Sequence, residues 1–347
     1  MPRVRVSIAL ATWNGEHFLK EQLDSYLTQS RLPDELVVSD DNSKDKTLQV
    51  VYEFARHAPF AVRVLQNKER QGYAKNFQMA IERCSGDVIL LSDQDDIWLP
   101  THIEKLVSPF ECRTTGASAI VLTLSRSRHF KICEDGSRVE WDIAQNPLRR
   151  WNWRVCQRDG LIAGFVRHWE PPFAGHGIAF SAKLLPVVIP VAADYHDFWI
   201  DSLASALGDF QFIDEVLTLH RVHNRNTAGY GHKKRITPKV GSPDVFSKEI
   251  ERLKSFVIRL EGLDNLNDRG RRSLRCAKRA IRALERRQAA RRRGLCGIPG
   301  CVAGLLCGDY HASGLGFVSF CRDLFDIVVL SCRKSSCGKW EFYRDER

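Results

Sequence analysis

The sequence predicts an α/β fold: a parallel-core mixed sheet flanked by helices, followed by a basic, mostly helical C-terminal extension. Three observations carry this expectation. Short apolar runs alternate with amphipathic stretches through the first hundred residues, the pattern of a parallel sheet wrapped by helices. Three of those runs end directly in polar loops. Past residue 230 the composition changes, and from Arg269 to Arg293 there are twelve Lys or Arg against one acid, Glu285.

Val4 to Leu10 is β-branched and reads as the first strand. Thr12-Trp-Asn-Gly15 is a turn, with Asn-Gly as its strongest signal. From Glu16 to Gln29 the apolar positions Phe18, Leu19, Leu23, Tyr26 and Leu27 have helical spacing. Leu36 to Ser39 is the second strand and runs into Asp40 and Asp41. Ser43 can cap a helix from Asp45 to Ala55. Val62 to Leu65 is a third strand, Gly72 opens a loop, and Lys75 to Cys84 is helical. Val88 to Leu91 is a fourth strand, apolar throughout, ending in Asp93, Asp95 and Asp96. Beyond it, Ala119 to Leu124 reads as a strand, and residues 133 to 160 give no assignable pattern. Pro171 to Gly177 reads as a loop, Ile178 to Phe180 as a strand with a short helix from Ala182, and Tyr195 to Ala206 as a helix. Phe210 to Ile213 and Val216 to His220 look like a closing pair of strands. The expected division is an α/β domain over 1–230 and a basic helical region over 231–347.

Composition narrows the class. An apolar content of 44% over 347 residues suffices for a substantial core. Eleven cysteines are scattered without a Cys-x-x-Cys pair, which argues for reduced thiols and against zinc. No signal peptide opens the chain, and no window reaches the roughly 18 apolar residues of a membrane span. The expected location is therefore cytoplasmic, soluble or peripheral.

In an open α/β sheet, ligands bind at the carboxyl ends of the strands. Here those ends carry Thr12 to Gly15, Asp40 with Asp41, and Asp93 with Asp95. Carboxylates two apart in an extended segment can face one cation, and hard oxygen donors suit Mg2+ or Mn2+ bridging to phosphate. A solvated acidic turn is the plain alternative. No Gly-x-Gly-x-x-Gly and no P-loop occurs in these loops, which argues against a dinucleotide cofactor.

Five segments then occur in order: Ala11-Thr-Trp-Asn-Gly-Glu16, Gln22-Leu-Asp-Ser25, Asp34-Glu-Leu-Val-Val-Ser-Asp-Asp-Asn-Ser43, Gly72-Tyr-Ala-Lys-Asn-Phe77 and Ser92-Asp-Gln-Asp-Asp-Ile-Trp98. Together they resemble the family 2 inverting glycosyltransferases, in particular the bacterial rhamnosyltransferase-like branch that builds surface polysaccharides. Gly175 to Phe180, His196-Asp-Phe-Trp199 and Leu219 to His223 with Asn226 resemble the same branch, so the likeness runs from about residue 4 to 230. Two departures stand out. Trp13 replaces the more usual Tyr, and His220-Arg-Val-His-Asn-Arg-Asn226 replaces Tyr-Arg-Gln-His-Gly-x-Asn, keeping only Arg221, His223 and Asn226.

The resemblance implies a GT-A fold, a dTDP- or UDP-sugar donor, a Mg2+ or Mn2+ ion, and a glycan or lipid-linked acceptor, with rhamnose the branch's commonest sugar. It places Thr12, Trp13, Asn14, Asp40, Asp41, Gly72, Lys75, Asn76 and Asp93 around the donor nucleotide. Asp95 would be the main metal ligand with Asp93 supporting, His223 would complete the metal shell or pair with the diphosphate, unless it is only a polar strand end, and Asp197 would be the catalytic base. Local sequence alone reads Asp197 as a helix cap instead. Asp96, Trp98, His196 and Arg221 are candidates for diphosphate or acceptor contacts. The Arg-rich helix has three readings: a solvated face, a membrane-surface helix with Leu274, Ala277, Ile281 and Leu284 as its apolar stripe, or a nucleic-acid binder. The last would make the protein a nucleic-acid-binding one with an inactive α/β domain, and three carboxylates beside a phosphate site disfavour it.

Overall fold

The computed structural model describes residues 3–111, 120–142, 161–162, 166, 177–192, 196–224, 226, 244–314 and 316–335. Pro171 to His176, Tyr195 and the division at residue 230 lie outside them.

The first hundred residues alternate as expected: β1 Val6–Thr12, α1 Leu19–Leu27, β2 Glu35–Asp40, α2 Thr47–Ala55, β3 Ala61–Gln66, α3 Tyr73–Glu82 and β4 Val88–Ser92. After them come β5 Ile97–Trp98, α4 His102–Glu111, β6 Ile120–Ile132, β7 Arg138–Trp141, β8 Ile178–Ser181, α5 Leu185–Val188, α6 His196–Leu207 and β9 Asp209–Arg221. One sheet joins all the described strands in the order β3-β2-β1-β4-β8-β6-β9-β5, with β7 beside β6. β1 pairs in parallel with both β2 and β4, and β3 runs parallel to β2. β8 runs antiparallel between β4 and β6.

Strand residues alternate between two cores, as the period of two in a β-strand requires. Ile8, Leu10, Leu36 and Val38 pack with Leu19, Leu23 and Tyr26 of α1 and Ile103 and Leu106 of α4. Ala9, Val37, Ile89 and Leu91 face the other side, against Phe77 and Ile81 of α3 and Phe198, Trp199 and Leu203 of α6. With both faces covered, β2 and β4 are buried at every residue, hence the apolar runs Leu36 to Val38 and Val88 to Leu91.

Two expectations about strands need correction. Phe210 to His220 is a single strand, β9, running parallel to β6. Asp214 and Glu215, which separate the two expected runs, sit in a bulge: Ser125 pairs with Ile213, but Arg126 pairs with Val216. A bulge absorbs extra residues without ending the strand. β6 likewise continues to Ile132, past the expected end at Leu124, because β7 and β9 flank its second half.

The C-terminal region is helical: α7 Ser247–Glu261, α8 Asp268–Arg292, α9 Ile298–Leu306, α10 Asp309–Ala312 and α11 Phe317–Ser335. The membrane-surface reading of α8 through its apolar stripe is overturned here. Ala277, Ile281 and Leu284 are buried in the main core, with Leu274 packed against it, and they face Leu253, Phe256 and Leu260 of α7 in the same cluster. Nor are all the arginines on the surface. Arg287 donates to Asp323 at 2.8 Å, and Arg291 donates to Asp323 at 2.7 Å and to Asp326 at 2.6 Å, all four side chains being buried. Among the described residues, no helix is long and apolar enough to cross a membrane.

Candidate active site

Three loops meet at the carboxyl edge of β1, β2 and β4. In the first, Asn14 takes a positive φ of 46°, which Asn tolerates better than most residues. A Cβ on Gly15 would come within 2.3 Å of the Gln94 amide oxygen. That amide is held, since Gln94 accepts from the Trp13 N–H at 2.8 Å and donates to the Trp13 carbonyl at 3.0 Å. The Asn-Gly pair thus lets the β1 loop close on the β4 loop.

The two carboxylates after β2 shape the rim. Asp40 accepts from the Thr12 hydroxyl at 2.9 Å and from the Ser43 hydroxyl at 2.6 Å. Asp41 accepts from the backbone N–H groups of Gln71 at 2.7 Å and Gly72 at 2.8 Å, and from the Asn67 amide. Both are buried. Asn76, also buried, donates to the Thr12 carbonyl at 3.1 Å. Thr12, Asp40, Asp41 and Asn76 therefore tie the rim together from within. Trp13, Asn14, Gly72 and Lys75 lie along it, and Lys75 is exposed. The Arg70 guanidinium sits 3.5 Å from the Trp13 ring centre, covering one face.

The β4 loop meets a segment from far along the chain. The His223 imidazole N–H donates to Asp95 at 2.8 Å, and the Asn226 amide approaches the same oxygen at 3.3 Å. Asn226 in turn accepts from the His223 backbone N–H at 2.5 Å, fixing the histidine. Arg221 donates to the Asp95 carbonyl at 3.2 Å and to Glu21 at 2.9 Å. Phe18 stacks on His223 with ring centres 4.4 Å apart. Beneath them, buried His220 donates to Asp96 at 2.8 Å. Burial opposes a charge on His220, but Asp96, then Asp95 and Asp93, outweigh it and push its pKa up to about 9. Asp93 is raised well above the usual carboxylate range by burial, then by Asp96 and Asp95, with Asp197 adding to the effect.

Asp197 stands in the first turn of α6, its carboxylate accepting the Phe198 backbone N–H at 2.7 Å. That contact matches a carboxylate at a helix N-terminus.

The sequence profile of Glycosyl transferase family 2 matches residues 7–149, the stretch that carries β1 to β4 and all three loops. The stretch thus resembles a family 2 glycosyltransferase domain. The stretch is similar to EpsE of Bacillus subtilis, 33% identical over 135 residues, covering 39% of this chain and 44% of EpsE. It is also similar to the dTDP-rhamnosyl transferase RfbG of Shigella flexneri, 36% identical over 102 residues, 28% of this chain and 35% of RfbG. The chain thus spans less than half the length of either relative. Two solved structures share the fold. S. aureus TarS 1-349 in complex with UDP superposes with a TM-score of 0.53 at 14% identity, covering 98% of this chain and 94% of that one. The mannosyltransferase PcManGT of Pyrobaculum calidifontis, in complex with GDP-Man and Mn2+, gives 0.50 at 17% identity, covering 96% and 87%. The chain accordingly has a GT-A-like fold.

Three expected contacts of this domain are corrected. Trp98 is buried and stacks on His102 at 3.9 Å, so it belongs to the core. His196 is buried against Phe77, ring centres 3.8 Å apart, where burial holds its pKa down. Asp96 is fully buried and supports His220 and Arg221 from below. Conversely, Glu21, Phe18, Gln94 and His220 join the site without having been named for it. His220 has a sequence signal, since it lies within the Leu219-His-Arg-Val-His223 motif.

The donor set suits a hard cation in one specific way. Among the described residues, no three His, Cys, Asp or Glu side chains gather closely enough to hold an ion by themselves. Asp93 therefore does not join Asp95 and His223 as a third preformed ligand. Mg2+ in phosphate-handling sites typically takes one or two carboxylates, substrate phosphates and waters. Asp95 with His223 fits that arrangement, and the crowding of Asp93, Asp95 and Asp96 is negative charge that a cation would relieve.

Proposed function

We propose that the protein is a metal-dependent inverting glycosyltransferase that moves a sugar from a nucleotide-sugar donor to a glycan or lipid-linked acceptor in bacterial surface polysaccharide synthesis. One observation carries the reading: His223 and Asn226, about 130 residues away in sequence, converge on Asp95 at the carboxyl end of β4. Asp197, in the first turn of α6, is the residue we assign to that crevice as the base. A solvated acidic turn would need no such partners.

In this reading Asp197 takes the proton of the acceptor hydroxyl as its oxygen bonds to the anomeric carbon and the bond to the diphosphate oxygen breaks. A single displacement inverts the centre, so no second carboxylate nucleophile is needed. Asp95, with His223 beside it, would hold a Mg2+ or Mn2+ ion, which would supply charge to offset that growing on the leaving diphosphate. Arg221 is anchored between the Asp95 carbonyl and Glu21, where it braces the loop. Trp13, with Arg70 on one face, offers an aromatic surface beside the base.

RfbG supports a dTDP-rhamnose donor, and the UDP held by TarS supports a uridine one. The UDP-Glc-using glucosyltransferase WfgD of Escherichia coli, 34% identical over 103 residues, supports the uridine donor about as well as RfbG supports the rhamnosyl one. We place the enzyme at the inner face of the cytoplasmic membrane, where a lipid-linked acceptor would be met. The fold and the relatives give no reason to carry the nucleic-acid reading forward.

The test is a screen of dTDP-rhamnose, UDP-hexoses and GDP-mannose for hydrolysis and thermal stabilisation, with Mg2+, Mn2+ or EDTA. One donor should be cleaved in a metal-dependent manner. Absence of both cleavage and stabilisation across the panel would reject the proposal.

A further inference from the structure

The 15 residues from Gly294 to Gly308 contain no charged or polar side chain other than two thiols at Cys296 and Cys307 and the buried Cys301. Half of this stretch is accounted for. Ile298, Cys301 and Leu305 pack with Ala290, Tyr310 and Phe320 in a small core of their own. The other half faces outward: Leu306 is 82% exposed, Leu295 55%, and Val302 is also exposed. α11 packs beside α9 and adds Phe325, 62% exposed, and Val328. Val302 and Leu306 are neighbours on one face of α9, as Phe325 and Val328 are on α11, and exposed apolar side chains grouped in this way, unlike ones scattered singly, mark interaction sites.

The charge around it points to the partner. Arg279 and Arg286 lie seven residues apart and so share one face of α8, and Arg293 follows at its C-terminal cap. The Arg279 guanidinium lies where a Cβ on Gly308 would meet it at 3.3 Å, immediately after Leu306. Arg286 reaches Asp309 at 3.2 Å, and Arg293 leads into Gly294. From Arg286 to Arg322 the sole acid is Asp309, and it is buried beside Arg286. The patch is therefore apolar at its centre and cationic at its edge, the complement of an anionic lipid surface.

We propose that α9, with Phe325 and Val328, seats in the interfacial layer of an anionic bilayer while Arg279, Arg286 and Arg293 engage the headgroups. This deepens the membrane placement proposed above and moves the contact from the buried stripe of α8 to the outer face of α9. It needs no part of the donor chemistry.

The test is co-sedimentation of the full chain with vesicles of phosphatidylcholine alone or mixed with phosphatidylglycerol, at low and high salt. Wild type should bind the anionic vesicles and lose them as salt rises, since headgroup attraction is screened. Val302→Glu with Leu306→Glu should weaken binding about tenfold or more, and Arg279→Gln with Arg293→Gln should do likewise. Ile258→Glu, at an exposed apolar position on α7, should leave binding unchanged. All variants should keep the wild-type melting temperature and donor hydrolysis, so loss of binding would be separable from loss of the catalytic reading. Indifference of wild type to anionic vesicles at low salt would overturn the proposal. So would a wild-type dimer, seen by sedimentation velocity, that Leu306→Glu dissociates, because the patch would then belong to a second copy of the chain.

Discussion

At the scale of single residues, Asp197 separates chemistry from capping most cleanly. Asn caps a helix about as well as Asp, so Asp197→Asn should preserve the fold and donor binding. Turnover should fall by about two to four orders of magnitude, the usual cost of a lost general base. A variant that turns over like wild type would leave Asp197 as a cap alone. His102 gives a pH prediction of a different kind. It is buried, donates to the Leu217 carbonyl at 3.1 Å, and burial pushes its pKa down to about 3, with that hydrogen bond opposing in part. The unfolded chain takes up a proton near pH 6.5 that the folded chain refuses. Stability from this group is thus constant above pH 6.5 and declines below it, by about 1.4 kcal/mol per pH unit until near pH 3. Urea melts between pH 7 and 5 should show a shallower decline for His102→Asn than for wild type; equal slopes would contradict the assignment. Which residues come together was legible in sequence where a motif fixed the backbone, as with Asp95 and His223, which meet at 2.8 Å. This was not legible for Trp98 and His196, because a motif does not say which side of a pleat or helix a side chain faces, and both turned into the core.

At the scale of elements, the βα alternation was readable because strands covered on both faces are apolar throughout and their helices have a clear period. β9 was misread because Asp214 and Glu215 have the composition of a turn, and only pairing with β6 reveals a bulge. The stripe on α8 was read correctly as apolar and wrongly as exposed, since periodicity shows that a face is covered without showing by what. α8 and α11 are joined by the buried Arg287, Arg291, Asp323 and Asp326 set. Removing one partner of a buried ion pair leaves an uncompensated charge. Asp323→Ala should therefore destabilise the chain by about 3 to 5 kcal/mol, with α11 becoming accessible to protease before the sheet does. Denaturant melts and timed proteolysis check both; a loss under about 1 kcal/mol would show the set to be dispensable.

At the scale of the whole molecule, the chain places a crevice at the carboxyl edge of its sheet and a cationic, apolar surface on its C-terminal helices. The central claim is that Asp95 with His223 is a metal and diphosphate site. Calorimetric titration of Mn2+ and a nucleoside diphosphate, wild type against Asp95→Ala, tests it most directly. Wild type should bind the nucleotide far more tightly with Mn2+ than with EDTA. Asp95→Ala should fold normally, since Asp95 lies at a loop outside both cores, and should lose that metal-dependent gain. Metal-dependent affinity unchanged in Asp95→Ala would contradict the claim.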